Sequence, residues 1–423
     1  MAVNPWMILP FVGLLLAIAV MPLAAHRWWE RNYPVVSVVL GCISLGYYLL
    51  ILREFHRPAE SLHEYLSFIV LLGSLFVVAG GIHIRVKGES TPLANVVMLA
   101  IGGVLANLIG TTGASMVLIR PWLRANKYRI TAFHIVFFIF IVGNVGGCLT
   151  PVGDPPLYLG YLNGVPFSWT VVHLWPMWLI GMGWLLLVFF ALDRRNFLRA
   201  PAGIRERETS HETWKLDGSH NLIWLGAILA ALFLEHPPFA REAIMLGVTW
   251  LSWRLTPGPV YEANDFSWAP IREVAILFAG IFATMMPALD WLEVNAVKLG
   301  IGSPGSFYWA AGSLSSVLDN APTYLTFLSA AIGLYTPAEA ADRSTAAAVA
   351  NLLSHHGGHI MAISIGAVFF GACTYIGNGP NFMVKSIADH AGVRMPSFFG
   401  YVLRFTVPIL LPMFTLVWWL FFR

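Results

Sequence analysis

The chain has 423 residues, of which 57% are hydrophobic and only 11% are charged, and its mean hydropathy is +0.70. Soluble domains carry about 25% charged residues, so this composition excludes a soluble globular protein and predicts a polytopic membrane protein. The formal net charge of +3 is too small to indicate a nucleic-acid partner.

Ten apolar stretches are predicted to cross the bilayer, since a crossing helix needs about 20 mainly apolar residues. They are Pro5–Ala25, Pro34–Leu52, Glu64–His83, Thr131–Cys148, Ser168–Leu192, Asn221–Leu234, Ala243–Leu255, Glu273–Leu289, His359–Tyr375 and Ser397–Phe422. No basic segment precedes the first run, which is therefore predicted to be a retained span and not a cleaved signal. The three cysteines, Cys42, Cys148 and Cys373, lie in apolar segments and are expected to be free, buried thiols.

Two further apolar stretches are interrupted near their middles. Leu93–Leu123 is broken at Gly110–Gly113, and Phe307–Leu334 is broken at Asp319–Pro322. Each is either one long kinked span or a re-entrant hairpin that enters and leaves the membrane on the same side.

The distribution of basic residues favours the hairpins. If the basic segment Asp193–His220 is cytoplasmic and both stretches are hairpins, most cations fall inside, as the positive-inside rule requires. Those inside are Arg27, Arg31, Arg85, Lys87, Arg124, Lys127, Arg129, Arg194, Arg195, Arg199, Arg205, Arg207, Lys215, Arg254, Arg272, Lys385 and Arg394. Those outside are Arg53, Arg57, Arg241, Lys298, Arg343 and Arg423. This map predicts a multi-pass protein of the inner (plasma) membrane with both termini outside.

Two spans carry residues that a continuous membrane helix disfavours. Gly143–Pro156 and Gly371–Asn381 both combine glycine and proline with polar side chains. Proline removes a backbone donor and clashes with the preceding turn, and a broken helix in lipid needs protein or water around its freed backbone groups. Both stretches are therefore predicted to be broken helices inside the protein.

The two halves match each other in the order of these features. Gly102–Asn107 aligns with Ser315–Asn320, and Gly153–Pro156 aligns with Gly377–Pro380. Because each half has five crossings, an odd number, the second half must enter from the opposite side. The predicted fold is an all-α polytopic membrane protein with two inverted repeats of five transmembrane helices plus one re-entrant hairpin each. The first repeat is 1–192, with hairpin 93–123 and broken helix 131–156; the cytoplasmic linker is 193–220; the second repeat is 221–423, with hairpin 307–334 and broken helix 359–381.

Polar residues at these breaks are the candidate ion ligands. Asn and Thr oxygens and freed carbonyls suit Na⁺, and a carboxyl group buried in the membrane can exchange a proton or bind a cation. The candidate binding residues are Asp319, Asn320, Asn107, Thr111, Thr112, Thr323, Asp154, Gly153, Thr150, Asn378 and Gly377, with Asp319, Asn320 and Asn107 as the expected Na⁺ ligands. Asp319 is the preferred exchanging acid, whereas Asp154 is either a second acid of the site or the cap of a turn.

Several other polar residues leave alternatives open. Arg120 either extends to the cytoplasmic surface or anchors a substrate carboxylate. His134 is expected to be a satisfied core histidine. The segment His355–His359, with sequence HHGGH, is expected to be an external loop, with a metal site or a pH sensor as the alternative. No nucleotide-binding or hydrolase motif is present, so the chain is predicted not to be an enzyme and to need no cofactor beyond Na⁺ as a transported or coupling ion.

The motifs resemble a known superfamily. Leu314–Pro322 resembles the second-hairpin motif of NhaD-type sodium/proton antiporters and arsenite permeases, and Gly143–Asp154 resembles their first broken helix. The resemblance places the chain in the ion transporter superfamily, closest to its citrate transporter branch. It implies roles for Asn107, Asp319, Asn320, Gly153, Asp154 and Asn378, and it implies a homodimer with a scaffold and a moving, elevator-like part.

Two transport functions follow as expectations. The dicarboxylate transporters of that superfamily resemble one another in a Ser-Asn-Thr triplet at each hairpin tip, whereas Ala106–Leu108 and Asp319–Ala321 stand here. This departure favours Na⁺/H⁺ antiport in the lipid bilayer, with Na⁺ and H⁺ as the partners. The alternative is Na⁺- or H⁺-coupled uptake of citrate or another di- or tricarboxylate.

Overall fold

The computed structural model describes residues 3–87, 91–199, 213–234, 236–237, 239–335 and 345–423. Its first-half helices are α1 (Leu9–Ala24), α2 (His26–Gly46), α3 (His56–Gly80), α4 (Pro92–Ala125), α5 (Ala132–Ile141), α6 (Pro155–Leu162) and α7 (Phe167–Arg199). Those after the polar segment are α8 (Asn221–Ala231), α9 (Ala240–Leu255), α10 (Gly258–Ala263), α11 (Ala269–Asn295), α12 (Pro304–Ser315), α13 (Asn320–Tyr335), α14 (Thr345–Phe370), α15 (Gly379–His390), α16 (Phe398–Tyr401) and α17 (Leu411–Phe421). The segments Tyr47–Leu52 and Val402–Leu410 are π-helical.

The chain reverses direction inside α4 and forms the first hairpin. Gly110 has φ 77° and ψ 155°, a backbone conformation open essentially only to glycine. The two arms run back along each other, because Asn95 Nδ2 donates to Asn126 Oδ1 at 2.7 Å and a Cβ at Gly102 would lie 3.0 Å from Cδ1 of Leu118. The chain therefore folds back on itself at Gly110, and Thr111 already belongs to the second arm.

The second hairpin is formed by α12 and α13. Tyr335 Oη donates to the carbonyl oxygen of Gly302 at 2.6 Å, and the rings of Phe307 and Phe327 lie 6.1 Å apart. Contacts at both levels require the two helices to run antiparallel. The reversal lies at 316–319, so the helical arm begins at Asn320, within the stretch predicted as the break.

The two broken helices have the same construction. Between α5 and α6 lies a single 3₁₀ turn, Val145–Gly147, and between α14 and α15 lies another, Gly371–Cys373. Close approach to the first hairpin requires glycine, since a Cβ at Gly146 would lie 2.5 Å from the Cα of Gly103. Helix α14 begins at Thr345, 14 residues before the predicted start at His359. HHGGH lies at a kink of this helix, where His356 has φ −133° and ψ 29°, and not in a loop.

Eight helices of the described residues are long and apolar enough to cross a membrane, and they make the chain an all-α multi-pass membrane protein. They are Pro5–Pro22, Arg27–Leu52, His56–Gly80, Pro92–Ala125, Phe167–Arg199, Ala269–Leu299, Thr345–Cys373 and Phe398–Phe421. Of these, Pro92–Ala125 meets the criterion by length and composition but is the first hairpin, which reverses at Gly110. The predicted spans Asn221–Leu234 and Ala243–Leu255 correspond to helices of 11 and 16 residues. The first helix is three residues shorter and the second three residues longer than the predicted stretch, and at about 1.5 Å per residue both are shorter than the roughly 30 Å hydrocarbon core.

A small antiparallel sheet joins the two halves. Strand β1 (His83–Lys87) pairs with β2 (Thr213–Asp217), with His83 opposite Asp217. The predicted linker 193–220 thus begins as the end of α7 and ends in a strand, while its residues 200–212 lie outside the described part. The strands were not predicted, although both alternate apolar and polar residues, with Ile84 and Val86 in β1 and Trp214 and Leu216 in β2.

Helices α2, α3 and α11 pack side by side as a separate layer next to the hairpins. The rings of Phe68 and Phe278 stack at 4.7 Å, and a Cβ at Gly280 would lie 2.9 Å from the Cβ of Ser37. Cys148 and Cys373 are free and buried as expected, whereas Cys42 of α2 is exposed, contrary to the prediction.

Candidate functional site

Both hairpins and both broken helices meet at Asp154. This residue caps α6 in an extended conformation, with φ −144° and ψ 143°, and is only 1% exposed. Its Oδ1 accepts hydrogen bonds from Thr111 Oγ1 at 2.9 Å and from Asn378 Nδ2 at 2.9 Å. Its Oδ2 accepts one from Asn320 Nδ2 at 2.5 Å. Asp154 of the first broken helix thus accepts one hydrogen bond from each of the other three interrupted elements.

The second broken helix has nearly the same backbone conformation as the first, and a matching hydrogen bond connects it to a hairpin. Asn378 caps α15 with φ −154° and ψ 143°, nearly the values of Asp154. Thr150 Oγ1 donates to the carbonyl oxygen of Asn107 at 2.6 Å, and Thr374 Oγ1 donates to that of Ser316 at 2.8 Å. A threonine hydroxyl in each break therefore holds the tip of one hairpin.

Gly153 and Gly377 lie where the backbone of each broken helix comes close to another part of the same break and to a hairpin. The amide nitrogens of Gly153 and Gly377 both lie 3.2 Å from the hydroxyl of the threonine three residues earlier. A Cβ at Gly153 would lie 3.0 Å from Asn107 Oδ1, and one at Gly377 would lie 2.8 Å from the carbonyl oxygen of Ser315. Both predicted glycines thus border the site through their backbones.

Asn107 is close to the site but makes no hydrogen bond to Asp154. Its Nδ2 donates to the carbonyl oxygens of Gly103 at 3.0 Å and Gly146 at 2.6 Å, and its Oδ1 accepts from the backbone nitrogen of Leu149 at 2.9 Å. This side chain is committed to the backbone and fixes the first hairpin onto the first break.

The contacts pair the hairpin tips in a register that differs from the sequence alignment by four residues. Asn107 and Ser316 are both held by the matched threonines, and Thr111 and Asn320 both donate to Asp154. The residue that corresponds to Asn320 by its contacts is therefore Thr111, and not Asn107 as the alignment predicted.

Asp319 and Asn320 lie at the start of α13. Asp319 is half-buried, its Oδ1 accepts from the backbone nitrogen of Ala321 at 3.0 Å, and its carbonyl oxygen accepts from Thr323 Oγ1 at 2.9 Å. Asn320 is fully buried, and its Oδ1 is one of the buried side-chain oxygens without a hydrogen-bond partner within the described chain. An unpartnered amide oxygen beside two carboxylates is suited to ligate a cation.

The buried side-chain amides of Asn144 and Asn381 connect the two broken helices, and neither residue was predicted from the sequence as part of the site. Asn144 Nδ2 donates to Asn381 Oδ1 at 2.7 Å and to the carbonyl oxygen of Ile139 at 2.8 Å, and Asn144 Oδ1 accepts from Asn378 Nδ2 at 3.2 Å. Asn381 Nδ2 in turn donates to two carbonyl oxygens of its own break, those of Gly371 and Thr374. This crossing orients Asn378 toward Asp154. Both residues stand in the stretches singled out by their glycines, and asparagine at such a break was the available signal.

A cavity of about 90 Å³ borders the tip of the first hairpin. Thr112 lines it, together with Gly110, Gly153 and Gly379. The other walls are mostly apolar and come from α3, α11 and α15: Leu72, Leu75, Phe76, Pro270, Ile271, Val274 and Met383. The cavity reaches the backbone next to Asp154 but provides no cationic side chain.

Arg120 is directed away from the site. Its Nε lies 3.1 Å from Asp265 Oδ2, in the loop that precedes α11. Nine residues of helix separate it from Thr111, a rise of about 13 Å. The alternative in which Arg120 anchors a substrate carboxylate beside Asp154 is therefore not supported by its position.

The histidines singled out in the sequence have structural partners. His134 is fully buried, with Nε2 3.0 Å from Asp193 Oδ1, and Asp193 also pairs with Arg129 and accepts from Asn95. His359 Nε2 lies 2.9 Å from Tyr335 Oη. Within the described ranges, no group of three or more His, Cys, Asp or Glu side chains is placed to hold a metal ion.

The site contains two acidic side chains, Asp154 and Asp319. Neither Asp154 nor Asp319 takes part in an ion pair of the described residues. Asp154 is instead surrounded by neutral donors, which stabilise a carboxylate but do not cancel its charge.

Comparisons with known proteins agree with a transporter. A family model described as "Putative citrate transport" matches residues 1–422. The chain is 23% identical over 336 residues to a 46 kDa membrane protein of Mycobacterium leprae, an alignment that covers 72% of each protein. It is 22% identical over 336 residues, again 72% of each protein, to uncharacterized transporters of Mycobacterium bovis and Mycobacterium tuberculosis.

Proposed function

This membrane transporter belongs to the "putative citrate transport" family, and we propose that it exchanges Na⁺ (or Li⁺) for H⁺ at the site centred on Asp154. The supporting observation is the convergence of Thr111, Asn320 and Asn378 on one buried carboxylate that lacks a cationic partner among the described residues. An ionised carboxylate inside a membrane costs several kcal/mol unless it is paired, hydrated or protonated. A bound cation and a bound proton are the two ways in which this site regains neutrality.

The exchange follows from that competition. In the cation-bound state, Asp154 and the free Oδ1 of Asn320 supply oxygen ligands, with Asp319 one residue away to add charge. In the proton-bound state, the neutral carboxyl group no longer attracts the cation. Because one group serves both ions, loading of one releases the other, which is the requirement for antiport and not for cotransport. Asp154 takes the role of principal exchanging acid, and Asp319 supports it.

The proposal includes the inverted repeat. The first repeat is 1–192, the linker 193–220 and the second repeat 221–423. Support comes from the near-identical dihedral angles of Asp154 and Asn378 and from the matched bonds of Thr150 and Thr374. Opposed repeats bring two breaks together near the midplane, from which a site can open alternately to either side. A homodimer in the inner membrane completes the proposal.

The test is dissipation of a pH gradient in inside-out vesicles, followed with a pH-sensitive dye on addition of Na⁺ or Li⁺. Asp154→Asn abolishes the response and Asp319→Asn reduces it. The matched control is Asp389→Asn, which removes an exposed carboxylate that pairs with Lys385 at 2.6 Å and leaves the response intact. A wild-type response from Asp154→Asn would refute the assignment of the exchanging acid.

Coupled uptake of citrate or a similar carboxylate is the second candidate, since the family description points to it. The helix starts at Asn320 and Gly379 present their N-terminal ends to an anion. The other two starts are less suited, because Pro155 and Pro156 have no N–H and the N–H of Thr111 donates to the Gly153 carbonyl oxygen at 2.8 Å. Against it stand two carboxylates at the site and the pairing of Arg120 with Asp265. Radiolabelled citrate uptake that requires Na⁺ or H⁺ would establish this candidate, and absence of uptake with a panel of di- and tricarboxylates would remove it.

A further inference from the structure

The loop between α10 and α11 is fixed at one end to the layer of α2, α3 and α11. Asn264 is 2% exposed, and its Nδ2 donates to the carbonyl oxygens of Gly80 at 2.8 Å and Ile82 at 2.7 Å. Its Oδ1 lies 2.8 Å from Nδ1 of the buried His83. Three buried polar contacts therefore hold this point of the loop against the end of α3.

The next residue reaches the first hairpin. Asp265 has φ 44°, a left-handed conformation uncommon for residues other than glycine, and its Oδ2 lies 3.1 Å from Nε of Arg120. The Asp265 side chain is 79% exposed, whereas that of Arg120 is 15% exposed. The turn directly after the Asn264 anchor thus extends a carboxylate out of the loop to an arginine of the hairpin arm, across a boundary that solvent can reach.

The ring of Phe266 lies between helix α3 and the second arm of the first hairpin. A Cβ at Gly80 would lie 2.5 Å from Cδ2 of its ring and 3.7 Å from Cε of Met116, which belongs to the hairpin. Its ring also lies 5.3 Å from that of Phe76 and 5.1 Å from that of Tyr261. The ring is wedged between α3 and the hairpin arm, against a glycine that leaves room for it.

The ring of Phe266 lies next to the 90 Å³ cavity, on the side away from the hairpin tip. Phe76 and Thr112 line the cavity, and Gly80 and Met116 follow them by four residues, one helical turn farther from the hairpin tip. The ion pair of Arg120 is one further turn away. Passage from the cavity along this face meets an aromatic ring first and a salt bridge second.

We propose that this loop is the cytoplasmic gate of the cavity, with Phe266 as the plug and the Arg120–Asp265 pair as the latch. The positive-inside distribution of basic residues assigns this end to the cytoplasm. An exposed ion pair is weak and is screened by salt, so the latch closes the gate and releases it readily. The biological purpose of the gate rests on the proposed transport function. Opening of the gate, however, is a change in the accessibility of the cavity, and it can be measured without any movement of ions.

The experiment measures access to the cavity with Thr112→Cys in a Cys42→Ala background, where Cys148 and Cys373 are buried. A charged, membrane-impermeant maleimide is added to inside-out vesicles and the labelling rate is recorded. Arg120→Gln and Asp265→Asn each raise the rate about 1.5- to 5-fold, the shift in a two-state equilibrium expected from one exposed ion pair. Phe266→Ala raises it further, and the exchange Arg120→Asp with Asp265→Arg restores the slow rate.

Two controls guard against unfolding. Lys127→Gln removes an exposed cation of the α4–α5 loop and leaves the rate unchanged. High salt accelerates labelling with the latch intact and has no effect in Arg120→Gln, a comparison independent of any loss of fold. Unchanged labelling in both Arg120→Gln and Phe266→Ala would overturn the gate, as would faster labelling only from the outer side. Because labelling needs neither Na⁺ nor H⁺, a failed gate and a failed antiport activity are separate results.

Discussion

Replacement of Asn144 by alanine tests whether the crossing of the two breaks holds the site together. Asn144 Nδ2 donates to Asn381 Oδ1 at 2.7 Å and to the Ile139 carbonyl oxygen at 2.8 Å, and all of these groups are buried. Alanine leaves both acceptors without this donor, and a buried unsatisfied group costs about 1–3 kcal/mol. The expected loss of stability is therefore about 2–6 kcal/mol, before any rearrangement of Asn378.

Two readouts separate stability from positioning. Purified Asn144→Ala melts several degrees below the parent protein in detergent, and the Na⁺ concentration for half-maximal gradient dissipation rises, because Asn378 is no longer oriented by Asn144. Asn163→Ala is the matched control. The Nδ2 of this half-buried asparagine donates to the Leu159 carbonyl oxygen of its own helix at 2.9 Å, and its loss leaves the half-maximal Na⁺ concentration unchanged. If Asn144→Ala keeps both the melting temperature and the Na⁺ dependence, the crossing has no role in the site.

Three further predictions concern the backbone and the ends of the hairpins. Gly110→Ala forces a side chain into φ 77° and costs about 1–3 kcal/mol, seen as a lower melting temperature; an unchanged value would contradict the reversal at Gly110. Thr150→Val and Thr374→Val each remove one hydroxyl bond between a break and a hairpin, about 1 kcal/mol, and are expected to lower the melting temperature to similar extents; very different effects would contradict their equivalence. Asp193→Ala leaves the charge of Arg129 buried without this carboxylate, at about 3–5 kcal/mol, so the folded yield in size-exclusion chromatography falls sharply; a normal yield would refute this role.

The interrupted helices could be predicted from the sequence because they contain helix-breaking and polar residues within otherwise apolar segments. Glycine, proline and asparagine within apolar runs, at Gly110, Gly143–Pro156 and Gly371–Asn381, mark places where a membrane helix cannot continue. The charge distribution then distinguished hairpins from long kinked spans, and the contact between Asn95 and Asn126 agrees with that choice for the first hairpin.

The register of the hairpins could not be predicted. A shift of four residues is one helical turn, so it keeps the same face of the arm toward the break and leaves the apolar pattern almost unchanged. Only long-range contacts, such as that of Thr374 with Ser316, decide it. The central position of Asp154 could not be predicted either, because it also depends on long-range contacts. Its three donors are 43, 166 and 224 residues away along the chain.

Helix lengths were predicted less well where apolar composition continued past the helix end. Residues Leu232–Leu234 are apolar but follow the last residue of α8, and α14 begins well before the apolar core of its predicted span. Composition reports which residues tolerate lipid, whereas the end of a helix depends on backbone geometry and capping. The pairing of β1 with β2 could not be predicted from the alternation within each strand, because the two strands lie far apart along the chain.

The most direct test of the central claim is Na⁺ binding by the purified protein, measured with radioactive Na⁺ over a range of pH. The account predicts saturable binding that protons displace, complete loss of binding in Asp154→Asn, and weaker binding in Asp319→Asn. Wild-type affinity in Asp154→Asn, with loss of binding in Asp319→Asn, would contradict it and would move the exchanging acid to the start of α13.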